Sequence, residues 1–235
     1  MTAAILEITG LSKDYRALRP LRIQQLTVAQ GDLVAIVGLD AAAGELLVNV
    51  VTGAALPDAG EVRIFGRATS AIADADDWLA TVDRFGIVSE RAVLLDDLTV
   101  LQNLAMPFTL DIEPPPPAIR ERAAMLAFDV GLPESIHPRR VRDVDAAVRL
   151  QVRMARAIAL DPALILLEHA SVALRSSDVV ESGRRLRTVA AKRGSAVVAI
   201  TADEQFARAV ADRVLMLEPA SGRLRERGFR KWFRG

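Results

Sequence analysis

Three short apolar runs punctuate the chain: LVAIV at residues 33–37, ALILL at 163–167 and AVVAI at 196–200. Each is flanked by turn residues and none alternates with polar positions, which is the pattern of strands buried on both faces in a parallel sheet. Elsewhere the pattern alternates. ILEITG and LRIQQLTVAQGD make residues 3–34 β-rich, with Gly31 and Asp32 turning into the first buried run. Residues 57–60 read as a turn and 61–65 as a strand that stops at Gly66, a hairpin arm. An Asp-rich stretch (Asp74, Asp76, Asp77) leads through Trp78 to FGIVSE, a strand ending at Glu90.

From residue 94 the period lengthens. Leu101, Leu104, Ala105 and Phe108 share one helical face, with Asp97 or Thr99 as the N-cap. The prolines at 114–117 form a stiff, polyproline-like spacer that breaks this helix. AIRERAAMLAFDVGL then predicts an amphipathic helix with Gly131 just past its end. A third helix spans about 146–160, followed by helices at 177–192 and 203–210 and a final hairpin at 214–224. Helices alternating with buried strands predict an α/β fold in one domain. Its core takes residues 1–94 and 160–222 and includes a β subdomain; a helical insert covers about 95–155, and a basic, aromatic tail covers 223–235.

Composition narrows the chemistry. Thirty basic and thirty acidic residues cancel, so no net field draws the protein to nucleic acid. The absence of Cys removes disulfides and thiolate chemistry, and two His (His137 and His169) are too few for a His-based metal cluster. Neither a transmembrane helix nor a signal peptide is expected. In the tail, Arg223, Arg225, Arg227, Arg230, Lys231 and Arg234 surround Phe229, Trp232 and Phe233. Such a segment is either a membrane- or partner-binding element or a solvated terminus.

Residues 34–53, VAIVGLDAAAGELLVNVVTG, have the strand, loop and helix order of a phosphate-binding loop. A working loop of this kind needs glycines that turn N–H groups towards phosphate, a Lys for the β- and γ-phosphates, and a Ser/Thr hydroxyl for Mg²⁺. With the spacing G-x-x-x-x-G-K-[ST] counted from Gly38, the second Gly falls on Ala43, the Lys on Gly44 and the hydroxyl on Glu45. The frame is present and the groups that grip phosphate are not.

The order of these pieces resembles the ATPase subunit of ABC transporters over nearly the whole chain. ARAIALDPALILL (155–167) is similar to the family's passage from signature helix to Walker B strand, and ADRVLMLEPASGRL to its C-terminal hairpin. LTVLQNLAMPF, the proline spacer and the helix ending VGL look most like the Mla-type, MCE-associated lipid-transport branch. The resemblance implies a P-loop NTPase-like core with an antiparallel β subdomain and an inserted α-helical subdomain. It also implies roles for particular positions. The Walker A Lys and Ser/Thr fall on Gly44 and Glu45, and the Q-loop Gln on Glu90. The signature falls on Val144, Asp145, Ala146, Ala147 and Val148, and the Walker B Asp on Glu168. The catalytic Glu becomes His169, the D-loop Asp Arg175 and the switch His Ala202, while Tyr15 keeps the adenine-stacking aromatic.

Glu45 and Asp145 thereby place carboxylates where phosphate oxygens would lie. Two like charges about 4 Å apart at an effective dielectric near 20 repel by about 4 kcal/mol. The expectation is a subunit that has lost ATP hydrolysis, with no catalytic residue, no bound metal and no ATP or Mg²⁺ cofactor. It would be a structural or regulatory partner of an inner-membrane permease, in a homodimer or in a heterodimer with another ABC ATPase, peripheral on the cytoplasmic face. Two alternatives stand beside it: an unusual active ATPase that uses Glu168 and His169, whose Glu168 could still hold Mg²⁺ through water, and a soluble scaffolding protein without a permease.

Overall fold

In the computed structural model, residues 4–226 are described. The tail residues from Arg227 onward, including Phe229, Arg230, Lys231, Trp232, Phe233 and Arg234, lie outside the described residues, whereas Arg223 and Arg225 fall on the last strand.

Six strands form the central sheet. In chain order these are β3 (Leu33–Val37), β6 (Phe85–Ser89), β7 (Leu164–Glu168), β8 (Ala196–Ile200), β9 (Arg213–Glu218) and β10 (Arg223–Glu226). They lie in the spatial order β10-β9-β3-β8-β7-β6, parallel except for β10, which returns antiparallel on β9. A second sheet, antiparallel throughout, has the order β2-β1-β4-β5, made of β1 (Ala4–Lys13), β2 (Leu21–Ala29), β4 (Ala59–Ile64) and β5 (Arg67–Ala68).

The two-residue period of the buried strands divides the core. Leu33, Ala35, Ile165, Leu167, Val197 and Ala199 face one apolar cluster; Val34, Ile36, Leu164, Leu166, Val198 and Ile200 face the other. The first cluster is closed by α3 (Val100–Ala105), α4 (Pro117–Asp129), α5 (Ala146–Ala157), α6 (Ser176–Arg193) and α7 (Glu204–Val210). The second is closed by α1 (Ala41–Val51) and the antiparallel sheet. Continuing the alternation one residue past Leu167 turns Glu168 towards α1.

Local chemistry sets the ends of the elements. Thr99 caps α3 and exchanges bonds with Gln102 in a capping box, which selects Thr99 over Asp97 as the cap. Pro117 does not belong to the spacer; it occupies the first turn of α4, where its missing N–H costs nothing. The Asp-rich stretch is helical, contrary to its reading as a polar connection. Asp74 accepts from the Asp77 N–H (2.9 Å) and starts α2 (Ala75–Val82), and Trp78 Nε1 donates to the carbonyl of Thr52 (3.1 Å).

The helical subdomain is tied to the core at the C-terminal end of α4. There the Asp129 carboxylate receives Lys192 Nζ (2.8 Å) and Arg193 (2.6 Å) from α6. The bonds from Lys192 and Arg193 hold the Asp129 carboxyl below its ordinary value despite an opposing effect of burial. A carboxyl lowered on folding adds stability above its unfolded value, and that stability is lost as pH falls through the lowered one. Asp129→Asn should therefore melt about 2–8 °C below the wild type at about pH 7, as loss of about 1–2 kcal/mol implies. Differential scanning fluorimetry should show the gap narrowing as the pH falls below the ordinary aspartate value of about 3.9; a gap that did not change with pH would contradict this account.

Candidate functional site

At the C-terminal ends of β3, β6, β7 and β8 the connections bring together most of the residues singled out in the sequence. Gly38 follows β3 with φ of 96°, a left-handed conformation that glycine adopts without strain. The next turn belongs to Asp40. Its carboxylate caps α1 by accepting the N–H of Ala43 (2.8 Å), while its carbonyl accepts the N–H of Gly44 (2.9 Å). The electropositive start of this helix therefore already holds an acidic side chain of its own chain.

Gly44 is buried and faces His169 across the gap between α1 and β7. A Cβ built on Gly44 would lie 2.8 Å from His169 Nε2 and 3.1 Å from Ile200 Cγ2, so the imidazole occupies the space into which a side chain at 44 would grow. His169 Nε2 stands 3.2 Å from the Asp40 carbonyl, an acceptor, which puts the ring proton on that nitrogen. To reach this place His169 adopts φ of 45°, at a cost of about 1–2 kcal/mol. Its N–H is bonded to the carbonyl of Ile200 (2.8 Å).

Glu45 and Glu168 meet on a side chain that the sequence reading did not single out. The Arg91 guanidinium makes a two-point contact with Glu168, Nε to Oε1 at 3.0 Å and Nη2 to Oε2 at 2.5 Å, and its Nη1 lies 3.0 Å from Glu45 Oε1. Glu168 is only 6% exposed, so its carboxylate depends on this contact, whereas Arg91 and Glu45 are nearly half open to solvent. The Glu168 bonds push the Arg91 guanidinium above its usual value. Arg91 sits 46 residues from Glu45 and 77 from Glu168, beyond any local spacing rule.

The remaining candidate residues have structural partners. Asp145 is not a free carboxylate turned on a ligand: it caps α5 by accepting the N–H of Val148 (2.9 Å). Glu45, paired with Arg91, is likewise not a bare charge, so the repulsion argued for these two carboxylates is absorbed by a helix cap and a guanidinium. Glu168, which under the active-ATPase alternative could hold Mg²⁺ through water, is paired with Arg91. Glu90 pairs with Arg153 of α5, with contacts of 2.8 Å at both oxygens. Ala146 and Ala147 begin α5, half-buried. Arg175 precedes α6 and pairs with Asp178 (3.3 Å), and Ala202 is exposed between β8 and α7. Tyr15 packs half-buried on the second apolar cluster, and burial together with the nearby Asp40 raises its hydroxyl above the ordinary value.

Beside Glu90 runs a groove of about 360 Å³ lined by Phe85, Ile87, Met106, Pro107, Arg153 and Leu160 among others. Arg156, also on its wall, donates to the Val93 carbonyl (2.8 Å) and has no carboxylate partner among the described residues. Burial and the neighbouring Arg153 depress its guanidinium below the usual value.

Among the described residues, no helix is long and apolar enough to cross a membrane, and no cluster of three or more His, Cys, Asp or Glu could hold a metal ion.

Comparison with known proteins places the chain. A methionine import ATP-binding protein MetN of Brucella abortus (strain 2308) is 29% identical over 219 residues, 92% of this chain and 58% of that protein. MetN of Mesorhizobium japonicum is 32% identical over 204 residues, 86% of this chain and 54% of that protein. The sulfate/thiosulfate import ATP-binding protein CysA of Caulobacter vibrioides is 29% identical over 233 residues, 97% of this chain and 65% of that protein. The chain thus spans little more than half the length of these MetN relatives. In fold it is similar to the dimeric ATP-binding cassette MJ0796 bound to ADP and Pi, with a TM-score of 0.74 at 24% identity over 95% of this chain and all of that one. It is also similar to cbiO1 from Clostridium perfringens, part of the ABC transporter complex cbiONQ, with a TM-score of 0.78 at 17% identity over 94% of this chain and 87% of that one. The sequence family described as ABC transporter matches residues 21–171, well over half of the chain, and this protein belongs to that family.

Proposed function

We propose that this chain is the cassette subunit of a membrane transporter complex and that it serves as a docking partner of the permease without hydrolysing ATP. The observation that carries this reading is the imidazole of His169 lying over Gly44, in the space from which a phosphate-gripping side chain would have to extend. Mg-ATP does not fit the residues present. Three carboxylates, Asp40, Glu45 and Glu168, and one guanidinium, Arg91, give a local formal charge of −2, and the polyphosphate would add to it. The N-terminus of α1 already has its own acidic cap.

Support for a permease as partner comes from the groove. Its apolar walls suit a short helix, and Arg156 offers a partly buried cation lacking a countercharge within the described residues. A cytoplasmic segment carrying one Asp or Glu among apolar residues would neutralise it, so the protein would sit at the inner face of the membrane. The partner cassette is a second copy or an intact ATPase; MJ0796, similar in fold, is itself dimeric. For the cargo, the likeness of residues 98–108 and 114–132 to the lipid-transport branch favours lipid. The names of the MetN and CysA relatives favour a second reading, import of a small solute.

Thermal melts of the purified chain should not move when millimolar Mg-ATP is added. Saturation at about 100 times Kd would add about 2.7 kcal/mol and raise the midpoint by several degrees; such a rise, with phosphate release that needs Glu168 or His169, would favour the unusual-ATPase alternative. In co-purification from membranes, Arg156→Glu should reduce recovery of the permease at least about tenfold, the effect of about 1.4 kcal/mol or more in a desolvated contact, while the chain still melts cooperatively, lowered by the several degrees that loss of its bond to the Val93 carbonyl implies. Undiminished recovery would contradict the groove assignment, and the absence of any membrane protein from the wild-type complex would favour the scaffold alternative.

A further inference from the structure

The positions at which the family resemblance expects a divalent cation, residue 45 in α1 and residue 168 at the end of β7, both carry glutamates here, and one side chain joins them. We propose that the guanidinium of Arg91 is the resident cation of this site and replaces the divalent ion. The inference rests on the reading that the site takes no Mg-ATP, and it adds what fills the site in its place. Glu168 is buried and accepts two bonds from Arg91, in a planar two-point geometry that an arginine can make and a lysine cannot. The remaining arm of the fork reaches Glu45 at 3.0 Å. Without the guanidinium, two carboxylates would face each other with nothing between them.

Unlike an ion, this cation is part of the chain, and it anchors the loop that lines the groove. Around Arg91, the Glu90 carboxylate is held by Arg153, the Ala92 carbonyl accepts Arg153 Nε (3.3 Å), and the Val93 carbonyl accepts Arg156 (2.8 Å). The loop is thus fastened to β7 and α1 on one side and to α5 on the other by side chains of the protein alone. The groove wall is thereby set by the chain's own contacts, with no step that calls for a nucleotide or a metal.

The test uses the full chain, with Mn²⁺ as the probe. The wild type should bind no Mn²⁺ at millimolar concentration by electron paramagnetic resonance, and its melt should be the same in EDTA, Mg²⁺ or Mn²⁺. Arg91→Ala should melt about 6–20 °C lower, bind Mn²⁺ between Glu45 and Glu168, and regain part of its melt on adding it. Arg91→Ala with Glu168→Gln, which removes the buried charge, should melt close to wild type and ignore Mn²⁺; it keeps the test valid should the single variant fail to fold. Arg91→Lys should stay blind to Mn²⁺. Mn²⁺ binding by the wild type, a single variant that melts like wild type, or one that folds and ignores Mn²⁺ would each overturn the proposal. A melt of the wild type raised only by Mg-ATP together would instead overturn the functional reading on which it rests.

Discussion

A carboxylate at the buried end of a parallel strand must find a cation, because leaving it unpaired in a low-dielectric interior costs several kcal/mol. Glu168 meets that requirement with Arg91, which lies just past the neighbouring strand β6 and is in reach because Ser89 pairs in register with Glu168. Much of the site follows from this one contact. The guanidinium carries Glu45 with it, the loop after β6 is drawn against β7, and residues on either side of Arg91 become bound to α5.

The family likeness and the site chemistry have different physical origins. The sheet order, the parallel buried strands and the helical subdomain follow from apolar periodicity, and so the fold persists whatever stands in the loops. Chemistry depends on a handful of side chains grafted on that frame. On the reading proposed here, a glycine, an imidazole and three carboxylates have replaced the groups that grip a nucleotide, while the groove that meets a membrane partner keeps its apolar walls and a spare positive charge.

Local signals made most of the fold legible in the sequence. Residues 196–200 form a strand with the bounds that their apolar run predicts, and Gly131 follows the C-cap of α4 with φ of 75°. The helix at 75–82 was missed because its alternation of Asp with Ala hides the Asp74 cap, a feature that the spacing of Asp74 and Asp77 could have disclosed. The site was legible in its positions and not in its contacts. Glu45 and Glu168 were identifiable from register with the family, but Arg91 joins them across 46 and 77 residues, and no spacing rule reaches so far. His169 over Gly44 was equally out of reach, since it depends on a left-handed backbone at a non-glycine residue and on how closely α1 lies on β7. Asp145 illustrates the converse: its placement in the signature suggested a charge aimed at a ligand, and its actual work is to cap a helix.

On this reading the chain's own side chains fill the place of nucleotide and metal. A crystal structure of the purified chain grown in millimolar Mg-ATP tests this most directly. Clear density is expected for the Arg91 guanidinium between Glu45 and Glu168 and for the His169 ring over Gly44, with no phosphate at the start of α1. Phosphate density at the N–H groups of Ala43 and Gly44, with Arg91 swung out and a metal ion between the two glutamates, would contradict it.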